Sequence, residues 1–419
     1  MPQPETPSHT PTQKAETFLA FLLLSTIPAF VAGISTFAAL WAVDKLRDSV
    51  WDAAAEQLPP VLSQLSPLLL CLAGGLIIGL WTRRCGFKLD TMHQVFGICR
   101  KEGGYHIPHL GKTLGLFFAP IVFGGAIGPE AGIAGFAAAG FTAVLDKTRI
   151  GGTGALSADT HPFRRAIRTL LDTDDEAQAS IEAKETLQEL PLRKLWKVLL
   201  WILAAIFFVL GWACVSHVLG SAGEMPRFEG MDYATADWGA GIVALLLGYA
   251  FALFALAAQK VAASISSAIG PDPLKKALLA GLVLGGLACI LPDLTFSGQD
   301  DIVDLIDTWQ SWAPALLILV AFVKICMTKM CVALDWTGGE FFPTIFCGVA
   351  LGYAVASLMG ADPLLPVAVA SGAAVGGWTR KPILSTAVLA LCFSPIALPV
   401  VLAASWIAAE LPHPQKKAA

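Results

Sequence analysis

Apolar residues in this chain come in long unbroken runs, not in the alternation of a half-buried strand or the one-sided stripe of an amphipathic helix. Runs of this kind suit bilayer-spanning helices, which need about 20 apolar residues each. Those long enough to cross lie at 17–43, 66–82, 197–220, 238–262, 276–292 and 313–328. Six crossings return the chain to the side on which it starts. The remaining apolar material comes as pairs of shorter pieces, 113–126 with 130–145, 341–358 with 363–378, and 382–394 with 396–410. Each pair is expected to enter and leave the membrane from one side. The pattern predicts an all-α polytopic membrane protein with broken, re-entrant helices.

Composition agrees: 55% of the 419 residues are hydrophobic and 14% are charged, against about 25% charged in an average soluble domain. An ordinary soluble enzyme is excluded. The first run follows a polar, proline-rich tail (1–16) and is longer than a signal-peptide core, so it reads as a retained first helix. Charge placement then orients the chain. With the N-terminus in the cytoplasm, outer loops receive only Lys45, Arg47 and Arg227 of the 28 lysines and arginines, as the positive-inside rule requires. Acidic residues such as Asp44, Glu56, Asp237 and Asp304 then face outward as solvated surface. Both termini are expected in the cytoplasm and the protein in the cell membrane. The segment 147–196 carries 16 charged residues and is no lipid-facing helix. It reads as a charged cytoplasmic insert between an N-terminal membrane half, 17–146, and a C-terminal half, 197–411, with a polar tail at 412–419.

Two motifs interrupt the apolar runs. In the first, Gly124-Gly125-Ala126-Ile127-Gly128-Pro129-Glu130-Ala131-Gly132, a proline after glycine ends one helix and favours the start of the next. That sets a helix N-terminus at membrane depth, where free N–H groups and the positive end of the helix dipole call for an anionic ligand. The second motif, Thr337-Gly338-Gly339-Glu340-Phe341-Phe342-Pro343, repeats the logic in the C-terminal half. Two half-helices in corresponding parts of two halves are the signature of an inverted-repeat transporter or channel.

These residues resemble the CLC family of chloride channels and proton-coupled chloride exchangers. Gly128-Pro129-Glu130-Ala131-Gly132 is similar to that family's first anion motif, G-[KR]-E-G-P, and Gly338-Gly339-Glu340-Phe341-Phe342-Pro343 to its second, G-G-x-F-x-P. The resemblance extends over roughly residues 17–410 and implies a CLC-like inverted-repeat architecture. It implies that Glu130 is a gating glutamate that competes with the anion for a helix N-terminus; on the residues alone, Glu130 also reads as a simple cap of its helix. Backbone N–H groups around Gly128, Glu130, Ala131, Gly132, Gly339, Glu340, Phe341 and Phe342 become the expected anion ligands. The implied function is passive, channel-like chloride conduction, with anion/proton antiport as the alternative and fluoride specificity or an inactive relative behind it. Chloride or a similar small anion, the lipid bilayer and a second copy of the chain are the implied partners, with no cofactor, no metal and no nucleic acid.

The chain departs from the family pattern in three places. The serine-bearing motif G-S-G-I-P has Gly86-Phe87-Lys88-Leu89-Asp90 as its nearest counterpart, without the serine. No tyrosine follows Tyr353, so the late tyrosine of many members is missing. The charged insert stands where the family has two membrane helices, one bearing an inner proton-transfer glutamate. Glu189, just before Pro191, is the candidate for that place.

Glu340 occupies a position that is usually apolar in the family, and three readings stay open for it. It is a proton-sensitive second gate and hence a second candidate for proton transfer, an ion-pair partner for a cation such as Lys324, or a cap facing an aqueous vestibule. Other signals are weaker. His93, His106 and His109 sit in a basic stretch with no carboxylate or cysteine to complete a metal set, and the nine cysteines include no C-x-x-C pair. Nucleotide-binding loops and hydrolase motifs are lacking, so the chain is not expected to be an enzyme. The rival is an intramembrane hydrolase with Glu130 and Glu340 as a carboxylate dyad.

Overall fold

In the computed structural model, described over residues 11–107, 109–156, 167, 169–170, 193–220 and 225–412, the helices follow in the order α1 (Pro11–Gln57), α2 (Pro60–Gln64), α3 (Ser66–Cys85), α4 (Met92–Glu102), α5 (Leu110–Val122) and α6 (Glu130–Leu156). Then come α7 (Arg193–Leu219), α8 (Trp238–Ile269), α9 (Pro273–Ala288), α10 (Gln299–Thr308), α11 (Pro314–Ala333), α12 (Phe341–Met359), α13 (Leu364–Thr379), α14 (Pro382–Leu389) and α15 (Leu398–Glu410). Helix ends fall where local chemistry stops a helix. Asp237 and Asp272 accept hydrogen bonds from the first-turn N–H groups of α8 and α9, and Gly86 and Gly360 close α3 and α12 in the left-handed conformation.

Among the described residues, six helical stretches are long and apolar enough to cross a membrane: Leu19–Gln57, Ser66–Cys85, Val198–Leu219, Trp238–Ile269, Pro314–Ala333 and Phe341–Met359. The chain is an all-α integral membrane protein. Five of these stretches coincide with expected crossings, and the sixth is a correction. The apolar run 276–292 yields only the 16-residue α9, because the run reaches Pro292, which cannot continue a helix. The piece 341–358, expected to be a short re-entrant half, is instead the 19-residue α12. The first helix also runs past the expected end at Val43, where Arg47 pairs with Asp44 and Asp48 along the same helix.

The chain divides into two compact units. One comprises Met1–Trp41, His93–Pro108 and Ile133–Ala222. Here α1 and α7 cross so closely that a Cβ at Gly33 would lie 2.1 Å from the carbonyl oxygen of Phe208, and one at Gly211 2.2 Å from that of Phe30. Small residues at a membrane helix crossing permit this approach. In the same unit His106 Nε2 lies 3.0 Å from the buried Asp146. Helix α6 continues past Asp146 to Leu156, inside the segment read as the start of the insert. Most of the rest of that segment, Glu189 included, lies outside the described residues.

The other unit comprises Ala42–Met92, His109–Gly132 and Gly223–Ala419. Its centre is α12, buried from Phe341 through Ala356. Helices α8, α10, α11 and α13 surround it, which is why it is apolar on every side. Glycines again set the approach: a Cβ at Gly352 would lie 2.3 Å from Val367 of α13, and one at Gly281 2.2 Å from the carbonyl oxygen of Cys71, where α9 meets α3. Lys324, fully buried in α11, donates to Asp301 at 3.1 Å and to the carbonyls of Asp293 and Thr295. It thereby ties the segment before α10 to the core. Asp301 lies outside the apolar spans; burial raises its carboxyl above the usual carboxylate range, with Lys324 opposing the rise.

Candidate functional site

Both sequence motifs fall in this second unit, and the backbone joins them. The N–H of Gly128 donates to the carbonyl of Gly339 at 2.8 Å, and the N–H of Gly339 returns to the carbonyl of Gly128 at 2.6 Å. This antiparallel pair sets the start of α6 beside the start of α12. Helix α5 ends at Val122 and α6 begins at Glu130, so Pro129 stands at the break where the sequence places it.

The Glu130 side chain turns across this pair to the mouth of α12, where its Oε1 accepts a hydrogen bond from the N–H of Phe342 at 2.6 Å. Phe342 lies in the first turn of α12, whose N–H groups have no intrahelical acceptor. The carboxylate thus occupies the place that the helix dipole prepares for an anion. Its Oε2 is buried without a hydrogen-bond partner among the described residues. Glycine is needed on both sides: a Cβ at Gly339 would lie 1.6 Å from Oε2, and one at Gly128 2.1 Å from it.

The expected backbone ligands separate into two groups. The N–H groups of Gly128 and Gly339 are committed to each other's carbonyls and so are not free to hold an anion, a correction to the sequence reading. Gly132 serves close packing, since a Cβ there would lie 2.1 Å from the Phe117 ring. Phe342 is engaged by Glu130, and Ala131 and Phe341 sit in first turns beside it.

Glu340, immediately before α12, pairs with Lys329 at 2.9 Å, not with Lys324. Its carboxylate is therefore held by a cation. Lys329 also lies 4.3 Å from the centre of the Trp378 ring, and that ring meets Phe341 edge-on at 5.3 Å. On sequence alone Lys324 suggests itself as the partner of Glu340, and Lys329 does not. The signal was present, a second lysine inside one apolar helix, where a charge is costly and marks function. The loop that stands in for the serine motif also has a role that the sequence hides. Lys88 forms an ion pair with Asp335, which is buried with φ of 72° just ahead of the second motif.

A model of the Voltage gated chloride channel family matches residues 179–411, more than half of the chain. The protein belongs to this family, the CLC family. It is similar to chloride channel protein CLC-e of Arabidopsis thaliana, at 29% identity over 150 residues, 33% of this chain and 21% of that protein. It is also similar to the H(+)/Cl(-) exchange transporter ClcA of Vibrio parahaemolyticus, at 32% identity over 149 residues, 34% of this chain and 30% of that one. The chain thus spans less than a third of the length of these curated relatives. Among solved structures, a CLC-type fluoride/proton antiporter superposes with a TM-score of 0.60 at 17% identity, over 91% of this chain and 94% of that one. A slow cyanobacterial Cl-/H+ antiporter gives 0.61 at 17% identity, over 96% and 95%. At this identity they share the fold.

Proposed function

We propose that this protein carries small anions, chloride foremost, across the membrane by passive conduction through a pathway gated by Glu130. The observation that carries this reading is the hydrogen bond from the Phe342 N–H to Glu130 Oε1 at 2.6 Å. A carboxylate held at the mouth of a helix stands in for the anion that the same N–H groups would bind. Among the described residues only one of its oxygens is partnered, and a buried oxygen without a hydrogen bond costs about 1–3 kcal/mol. An arriving anion, or protonation of Glu130, therefore displaces it readily. The first-turn N–H groups of α6 and α12 then hold the anion while it is stripped of water. The Lys329–Glu340 pair supports conduction over proton coupling, because it ties up the second carboxylate at the site.

Anion/proton exchange is the second reading, and the two antiporter structures that share the fold favour it. In that case Glu340, or Glu189 in the insert, is the inner proton-transfer group. In either case the protein is not an enzyme, the termini face the cytoplasm of the cell membrane, and two copies assemble with one pathway each. The test is purified protein in liposomes, with chloride efflux and internal pH recorded together for the wild type and Glu130→Ala. Chloride efflux without proton movement, changed by Glu130→Ala, is the expected result. Protons driven against their gradient by chloride would establish exchange, and no anion flux in either protein would overturn the transport reading.

A further inference from the structure

Glu340 stands at the mouth of α12, two residues before the Phe342 whose N–H holds Glu130. A second carboxylate beside an anion site opposes every anion that approaches it. Lys329 answers that charge from α11, with its ammonium 2.9 Å from Glu340 Oε1 and seated on the face of Trp378. Trp378 also flanks Phe341, so the lysine and the first residue of α12 share one wall. Lys329 is 2% exposed, in a helix whose neighbouring Met327, Thr328, Met330 and Cys331 are all buried. An ammonium so placed in a membrane protein is too costly to be incidental. Lys324, further up the same helix, is committed to Asp301 and to the carbonyls of Asp293 and Thr295.

Resting on the anion-transport reading, we propose that Lys329 is a positioning residue for the anion site: it pins the Glu340 carboxylate and cancels its charge, leaving Glu130 as the single carboxylate that competes with the anion. The pair is neutral as a unit. Removing the lysine leaves an additional negative charge at the mouth of α12, and removing the carboxylate leaves an additional positive one. The two single changes therefore move anion affinity in opposite directions, which a merely structural ion pair would not do.

Chloride titration of the whole purified protein by calorimetry, on the wild type, Lys329→Met, Glu340→Gln and the double variant, tests this. Lys329→Met is expected to weaken chloride binding about 30-fold and Glu340→Gln to tighten it about 10-fold, with the double variant within about threefold of the wild type. Lys329→Arg, which keeps the charge, is expected to bind nearly as the wild type does. If Lys329→Met fails to fold, the tightening by Glu340→Gln still decides the matter. Wild-type binding that Lys329→Met leaves unchanged, or that Glu340→Gln fails to tighten, overturns the proposal alone. A double variant as weak as Lys329→Met also overturns it. A wild type that neither binds nor passes chloride overturns the transport reading and this proposal with it.

Discussion

The carboxylate of Glu130 and the N–H of Phe342, 212 residues apart in sequence, meet at 2.6 Å. The Gly128–Gly339 backbone pair beside them holds the two helix starts in register, and that register is what lets the side chain of one helix cap the other. The gate proposed for Glu130, built this way, would be sensitive to atoms that never touch the anion.

Gly339 offers the sharpest check of that geometry. A methyl at this position would fall 1.6 Å from Glu130 Oε2, so Gly339→Ala has to expel the carboxylate or part the two helix starts. Chloride efflux from liposomes carrying Gly339→Ala is expected to match that of Glu130→Ala, and the double variant to add nothing further. Wild-type efflux in Gly339→Ala would refute the cradle.

Lys324 has a structural task. Its fully buried ammonium holds Asp301 and two carbonyls of the segment before α10. Lys324→Met takes the donor away from Asp301, whose side chain is 29% exposed, and from two carbonyls, a change worth about 2–4 kcal/mol. The thermal transition in detergent is expected to fall by roughly 5–10 °C. Additional replacement of Asp301 by Asn should return part of the loss, since the stranded carboxylate is then removed.

Trp336 links the approach to the second motif with the helices around the first. It is fully buried, its indole N–H donates to the carbonyl of Ala277 at 3.0 Å, and its ring lies against Gly74 and Gly125. Trp336→Ala is expected to cost about 3–5 kcal/mol through the cavity it leaves. Trp336→Phe should cost about 1–3 kcal/mol, from the lost indole hydrogen bond and the smaller ring. Chemical-denaturant melts that rank the two variants equally would contradict this division.

Much of the architecture is legible in the sequence because lipid leaves few alternatives. An apolar run of sufficient length must be helical, and a Gly-Pro break within one must begin a new helix. For that reason Leu19–Gln57, Ser66–Cys85, Val198–Leu219, Trp238–Ile269 and Pro314–Ala333 lie where the hydropathy runs place them. The start of α6 at Glu130 and of α12 at Phe341 follows from the same local chemistry. Where the reading failed, at 276–292 and 341–358, run length alone misjudged which helix is long enough to cross.

The partners of the charged side chains depend on contacts that no local pattern encodes. Whether Glu340 meets Lys324 or Lys329 turns on how α11 packs against α12, since both lysines lie in the same apolar helix and either suits the chemistry. The commitment of Gly128 and Gly339 to each other is likewise invisible until the two helix starts are side by side. The helices, the breaks and the residue types at them are readable from the chain alone, because they follow from the solvation of each backbone segment. Which carboxylate reaches the mouth of α12 and which is held by a lysine is set by the packing, because pairing energy depends on distances of a few ångströms across the fold.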